Sequence, residues 1–180
     1  MMPEGAEILF DAAAVGAAYD DIAAGLNRDL PDEEILLLPV MTGGLFPACE
    51  LARRIRRTMR IDYVHATRYR GRTHGSDIKW LRWPELSGHP KTIVLIDDIF
   101  DEGHTLAAIH DRLAEKFEVV TAVLIRKRHG RGLPRDWVDY FGLDIPDRYV
   151  FGCGMDYHEN LRELPDLWAL PEEPKAETDG

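Results

Sequence analysis

Thr92-Ile93-Val94-Leu95-Ile96-Asp97-Asp98-Ile99-Phe100-Asp101-Glu102-Gly103-His104-Thr105-Leu106 is a run of β-branched and aliphatic residues that ends abruptly in two adjacent carboxylates. A further pair of acids follows, then a glycine, a threonine and a helical pattern through Leu106, Ile109, Leu113 and Phe117. Continuous apolar runs of this kind are strands buried on both faces, and α/β proteins bind ligands beyond the carboxyl ends of such strands. The segment therefore predicts a crevice holding acids, a tight turn and a helix N-terminus. Such a crevice suits a ligand with both hydroxyls and a phosphate.

Outward from this segment, strands and helices alternate. Ala12 to Leu30 carries Val15, Tyr19, Ile22 and Leu26 at helical spacing, with Asp11 as its N-cap. Glu34 to Met41 reads as a buried strand, in which Pro39 predicts a bulge or an end. Thr42-Gly43-Gly44 turns into a helix from Leu45 to Arg57. Ile61 to Tyr69 reads as a strand, and Ile78 to Trp83 as a half-exposed one; the polar link between them makes the pair a mobile hairpin. Val119 to Ile125 is another buried strand. Past Lys127 the pattern turns irregular, with a basic loop from His129 to Pro134 and short β-like pieces near Val138–Phe141 and Tyr149–Phe151. The last ten residues, from Pro171, read as a disordered tail. This order predicts one α/β domain over residues 1–170 with a mainly parallel sheet flanked by helices.

Composition excludes several classes. With 180 residues the chain can bury about 70% of its unfolded surface as one domain. It has no apolar run near the roughly 20 residues of a membrane span. The acidic start is unlike a signal peptide, so a cytoplasmic protein without membrane partners is expected. Cys49 and Cys153, distant in sequence, read as buried reduced thiols. No zinc spacing and no Walker-type loop is present in the sequence. A net charge of −10 argues against a surface built for nucleic acid. The cluster Arg53, Arg54, Arg56, Arg57 and Arg60 is the local exception, and its plain reading is a solvated helix face or subunit contact.

A helix cap accounts for Asp101 or Thr105 singly, but not for four acids within six residues. These repel one another unless a cation or a donor-rich ligand sits among them. A receiver-type phosphoacceptor pair leaves Gly103 and Thr105 without a task.

Ile93 to Thr105 resembles the signature of the purine phosphoribosyltransferases of the hypoxanthine-guanine type: an apolar strand, two acids, two apolar residues, Asp, a residue, Gly, a residue and Thr. The resemblance extends from about Leu36 to Leu170. It includes Val40-Met41-Thr42-Gly43-Gly44, Arg68-Tyr69, Asp77-Ile78-Lys79, Leu124-Ile125-Arg126-Lys127, Ile145 to Gly152, Met155-Asp156-Tyr157 and Leu161-Arg162-Glu163-Leu164. It implies the type I phosphoribosyltransferase fold, with a small hood made from the N-terminal segment and residues 128–170. It also implies transfer of phosphoribosyl from 5-phosphoribosyl 1-diphosphate to N9 of a 6-oxopurine.

The resemblance assigns roles residue by residue. Asp97 and Asp98 would hold the ribose hydroxyls, directly or through magnesium, with Asp156 near a metal site. The segment Asp101, Glu102, Gly103, His104 and Thr105 would surround the 5′-phosphate, and Asp101 would handle the N7 proton as the catalytic group. Thr42, Gly43, Arg68 and Arg162 would bind diphosphate. Lys127 would donate to O6, Tyr149 would stack on the purine, and Val150 and Asp156 would face its 2-position. Tyr69 would close over the site with the hairpin. Relatives are homodimers or homotetramers, so an oligomer is expected.

Two departures stand out. Many relatives carry lysine where Thr42 stands, and Glu102 replaces a hydroxyl residue, so Glu102 is expected to turn away from the phosphate. The family turn often has a cis peptide before Thr42. A regulatory, nucleotide-sensing RNA-binding protein on the same fold is the alternative, and the arginine cluster is the feature that favours it.

Overall fold

The structure, a computed structural model, describes residues 2–68, 78–88 and 90–171. Tyr69, the link from Arg70 to Asp77 and the tail 172–180 lie outside the described residues, and Arg68 is described for its backbone alone. In chain order the elements are β1 (Glu7–Phe10), α1 (Ala12–Asp29), β2 (Ile35–Met41), α2 (Leu45–Ala52), β3 (Met59–Ile61), β4 (Val64–Arg68) and β5 (Ile78–Arg82). They continue with β6 (Thr92–Phe100), α3 (His104–Ala114), β7 (Glu118–Arg128), β8 (Tyr140–Pro146), β9 (Val150–Phe151) and β10 (Leu167–Ala169).

Seven strands make the main sheet, ordered β5-β4-β2-β6-β7-β8 with β3 also on β2; every pairing is parallel except β4 with β5. Period-two alternation divides its core in two. Leu36, Leu38, Ile93 and Leu95 face α3 through Leu106, Ile109 and Leu113. Ile35, Leu37, Val94 and Ile96 face α1 and α2 through Val15, Tyr19, Ile22, Leu26, Ala48 and Leu51. With both faces covered, the central strands have no position for a polar residue until their ends. A separate antiparallel sheet, β1-β10-β9, joins the N-terminal segment to the end of the chain.

Pro39 neither ends nor bulges β2. Its neighbours of the same parity, Ile35 and Leu37, bond toward the β3 side, Ile35 N–H to Thr58 O and Leu37 O from Asp62 N–H. On that side the partner changes from β3 at Ile61 to β4 at Val64, so the missing N–H of Pro39 falls where no ladder bond is required. The expected single strand from Ile61 is accordingly two, β3 and β4.

Asp11 caps α1, its carboxylate accepting the Ala14 N–H at 2.8 Å. The helix expected to reach Arg57 stops at Ala52, beyond which the Asn27 side chain takes up the backbone, donating to Arg54 O and accepting the Arg56 N–H. Arg57 donates to the carbonyls of Asn27, Leu30 and Pro31, satisfying the open end of α1. Arg54 pairs with Asp20 at 2.7 Å and Glu50 at 2.5 Å, and Arg60 with Glu34 at 3.1 Å. The cluster is thus largely a set of internal stitches. Cys153 is buried as expected, but Cys49 is exposed on α2, and both are free thiols.

β8 emerges from the stretch read as irregular. Its mixed sequence, with Gly142, Asp144 and Pro146, suits a strand paired on one side only. Arg126 and Arg135 hold Asp144 at 2.8 and 2.6 Å.

Candidate active site

The paired acids lie where β6 outruns its neighbour. Pairing with β2 ends at Pro39–Ile96, after which β2 turns away through Thr42 and Gly43. Asp97 and Asp98 therefore face a crevice at the carboxyl end of the sheet. Asp98 is 8% exposed, and the Asp97 carboxylate accepts its N–H at 2.9 Å. Gly43 is packed so closely on Asp98 that any Cβ there would overlap the carboxylate. Burial, then the charge of Asp98, pushes the Asp97 carboxyl well above its ordinary range. Asp98 is also raised by burial, which its bond with Asp97 and the nearby Arg162 only partly offset. Arg162 lies 3.9 Å from Asp98 and 2.7 Å from Asp156, and donates to Gly154 O at 2.6 Å.

Three residues further on, the chemistry reverses. Gly103, at φ 77°, turns the chain into α3, which has no side-chain cap at its start. Its first N–H groups and the positive end of its dipole form a ready anion site. Asp101 sits on the bend before it. Lys127 Nζ, on a side chain 12% exposed, lies 2.9 Å from Asp101 Oδ2, and His129 Nε2 lies 2.6 Å from Oδ1. Burial alone would raise Asp101, but Lys127 and then His129 outweigh it and hold the carboxyl below its ordinary range.

Asp147 completes the cluster, 3.8 Å from Lys127 and bridged by Arg131 at 2.6 Å. Asp101, His129 and Asp147 have ligand atoms within 4.8 Å of one another. Lys127 and Arg131 stand among them, so their charge is already met and the group is poorly suited to a metal. Glu102 lies 3.9 Å from Arg131 and 3.8 Å from His104, at the edge of the same cluster.

On the other side of the crevice, Tyr149 is 50% exposed, and its hydroxyl donates to Asp156 O at 3.0 Å. Val150 is buried in β9, and the Asp156 carboxylate accepts from Arg162 and from the Glu159 N–H. Thr42 is exposed, and the Met41–Thr42 peptide is cis.

The fold thus brings the expected residues into two groups, Asp97, Asp98, Asp156 and Arg162 with Gly43, and Asp101 with Lys127 beside Gly103 and α3. Tyr69 lies outside the described residues, as does the Arg68 side chain. Sequence reasoning missed His129, Arg131 and Asp147. The signal available was a basic loop directly following the lysine strand, and nothing local aims it at Asp101.

Residues 5–159 match the phosphoribosyl transferase domain. The hypoxanthine-guanine phosphoribosyltransferase of Streptococcus agalactiae is 30% identical over 170 residues, covering 93% of this chain and 94% of the relative. A crystal structure of the hypoxanthine-guanine phosphoribosyltransferase of Bacillus anthracis superposes with a TM-score of 0.81 at 25% identity, over 92% of this chain and 98% of that one. The Trypanosoma cruzi hypoxanthine phosphoribosyltransferase, solved with its product IMP, gives 0.81 at 25% identity over 95% and 97% of the two chains. With the acidic strand end, the open helix start and the lysine-held aspartate all at the carboxyl end of the main sheet, the chain belongs to the phosphoribosyltransferase family, in its hypoxanthine-guanine group.

Proposed function

We propose that the chain transfers the phosphoribosyl group of 5-phosphoribosyl 1-diphosphate to N9 of a 6-oxopurine in purine salvage, and that its residues divide this work as follows. The observation that carries the proposal is the placing of Lys127 and Asp101 2.9 Å apart, between the acid pair and the start of α3. A 6-oxopurine presents an O6 acceptor and an N7 proton on one edge. An ammonium beside a carboxylate matches that edge, whereas the exocyclic amino group of adenine opposes the ammonium.

The α3 amides with Thr105 and His104 hold the 5′-phosphate. Asp97 and Asp98 accept from the ribose hydroxyls, and their raised carboxyls gain by meeting donors or a cation. Arg162 and the Thr42–Gly43 backbone stabilise charge on the departing diphosphate. Asp97, Asp98 and Asp156 would offer carboxylate oxygens of the kind a magnesium ion takes, although the three do not gather within 4.8 Å of one another and Asp156 is held by Arg162 at 2.7 Å. Bound there, the ion would supply charge neutralisation for the diphosphate. Tyr149 stacks on the purine, and Val150 with Asp156 faces its 2-position. Tyr69 would close over the centre with the hairpin, excluding water, and Arg68 would join the diphosphate contacts. In this reading β1, β10, β9 and residues 128–170 are the hood of a single domain over 1–170. A cytoplasmic homodimer or homotetramer is part of the same reading.

The test is a comparison of kcat/KM for hypoxanthine, guanine and xanthine, with adenine as control, in magnesium and 5-phosphoribosyl 1-diphosphate. IMP or GMP with diphosphate is expected; equal use of adenine would overturn the role of Lys127. The RNA-binding alternative is not favoured, since Arg54, Arg57 and Arg60 are committed to internal partners.

A further inference from the structure

His129 has no part in the scheme above, yet it makes the closer of the two side-chain contacts to the reacting carboxylate. It lies two residues beyond Lys127, on the bend directly after β7, and the two side chains converge on Asp101. The ring is 6% exposed. Its Nδ1 accepts the Arg131 N–H at 3.2 Å, which puts the ring proton on Nε2, facing Oδ1. The loop carrying it is docked on the acidic turn. Leu133 N–H donates to Glu102 O at 3.0 Å. Gly132, at φ 75°, lies where a Cβ would overlap the Glu102 backbone. Ring and carboxylate are therefore held by one rigid contact between two loops.

We propose that His129 is a positioning residue for Asp101, holding Oδ1 through an Nε2–H donor so that Oδ2 is the oxygen that takes the purine N7 proton. This rests on the reading of Asp101 as the general base. In the forward direction the N7–H bond breaks and its proton goes to Oδ2. The electron pair stays in the purine as N9 bonds to C1, and diphosphate leaves with the C1–O pair. Lys127 cannot position Asp101 alone, because its ammonium is also required at O6 and sits on a four-carbon stem with more rotatable bonds than the imidazole. The imidazole, with two rotatable bonds and both nitrogens engaged, stays on Oδ1 throughout.

The charged groups around Asp101 are Lys127, His129 and Arg131, with Asp147 behind them and Glu102 adjacent in the chain. Removing the His129 donor leaves the carboxylate less stabilised, so its loss of activity in acid begins at higher pH. The experiment is single-turnover IMP formation across pH in His129→Leu, His129→Gln and Asp101→Asn. His129→Leu is expected to be about tenfold slower, with KM for 5-phosphoribosyl 1-diphosphate within about twofold and the acid limb moved up. His129→Gln, which keeps a donor at the Nε2 position, is expected to recover to within about threefold of wild type. Wild-type rate and acid limb in His129→Leu, with Asp101→Asn inactive, would overturn this inference alone. His129→Gln as slow as His129→Leu would also overturn it, whereas an active Asp101→Asn would overturn the base assignment beneath it. Should His129→Leu fail to fold, ¹⁵N spectra of the wild type decide: the Nε2–H tautomer supports the proposal and the Nδ1–H tautomer overturns it.

Discussion

Asp97 and Asp98 at the end of β6 and Asp101 on the bend that follows are the same side chain in one short segment, and their environments act in opposite directions. Asp98 is buried against Gly43, with Asp97, backbone N–H groups and Arg162 meeting part of its charge, Asp97 is half-buried beside it, and both carboxyls stay raised. Asp101 meets an ammonium and an imidazole, and its carboxyl is lowered. The first arrangement is left with charge to be satisfied by a ligand; the second has an ionised base ready before the ligand arrives. Groups whose environments push them apart in this way commonly mark separate roles within one site. Here the contrast separates binding of the sugar from handling of the proton.

The contrast breaks most severely at Asp101 itself. Asp101→Asn is expected to lower turnover by about 10²- to 10⁴-fold while calorimetric binding of 5-phosphoribosyl 1-diphosphate stays within about threefold. At the pair, Gly43→Ala places a methyl in the Asp98 carboxylate and should raise KM for 5-phosphoribosyl 1-diphosphate about 10- to 100-fold, with a smaller fall in kcat. Steady-state kinetics with varied magnesium would show whether metal and sugar binding fall together.

Lys127→Gln brings Asp101 toward the condition of the pair. Lys127 lowers the Asp101 carboxyl, so its loss raises that carboxyl, and the acid limb of kcat/KM moves to higher pH. A loss of about tenfold in kcat/KM for hypoxanthine is expected at neutral pH, measured by initial rates. The smallest effect belongs to Asp144, a carboxylate held by two arginines away from the crevice. Bonds from Arg126 and Arg135 outweigh partial burial and lower it from 3.8 to about 2. A lowered carboxyl stabilises the fold above its unfolded value and loses that effect as pH falls through about 2. Asp144→Asn is expected to cost about 0.5–1 kcal/mol at pH 7, with the difference fading between pH 4 and 2, as read by denaturant unfolding.

What could be read from residues alone follows local rules. β6, α3, β7 and α1 carry unbroken apolar runs or clear helical spacing, and an N-cap at Asp11 needs only its own first turn. β1 and β10 escaped, and β8 reads only as a short β-like piece near Val138–Phe141, because short or one-sided strands hold mixed residues and owe their form to the strand beside them. Pro39 misled for a related reason: a proline forbids one bond, and whether that bond is needed depends on which neighbour lies opposite. Arg53 to Arg60 could be seen as a cluster but not as stitches, since Asn27, Leu30 and Pro31 lie on a distant part of the chain.

In the site the boundary is similar. Asp97, Asp98, Asp101 and Gly103 announce themselves by type and spacing, because a strand end and a helix start are consecutive in sequence, whereas Lys127 is reached only through the family resemblance. His129 does not, because its task depends on where β7 lies beside β6 and on a loop folding back over Glu102. The chain's order and hydrophobic period therefore determined the sheet, the crevice and its acids. Which carboxyl is raised and which is lowered was decided by packing, because proton affinity depends on burial and on partners brought in from other strands.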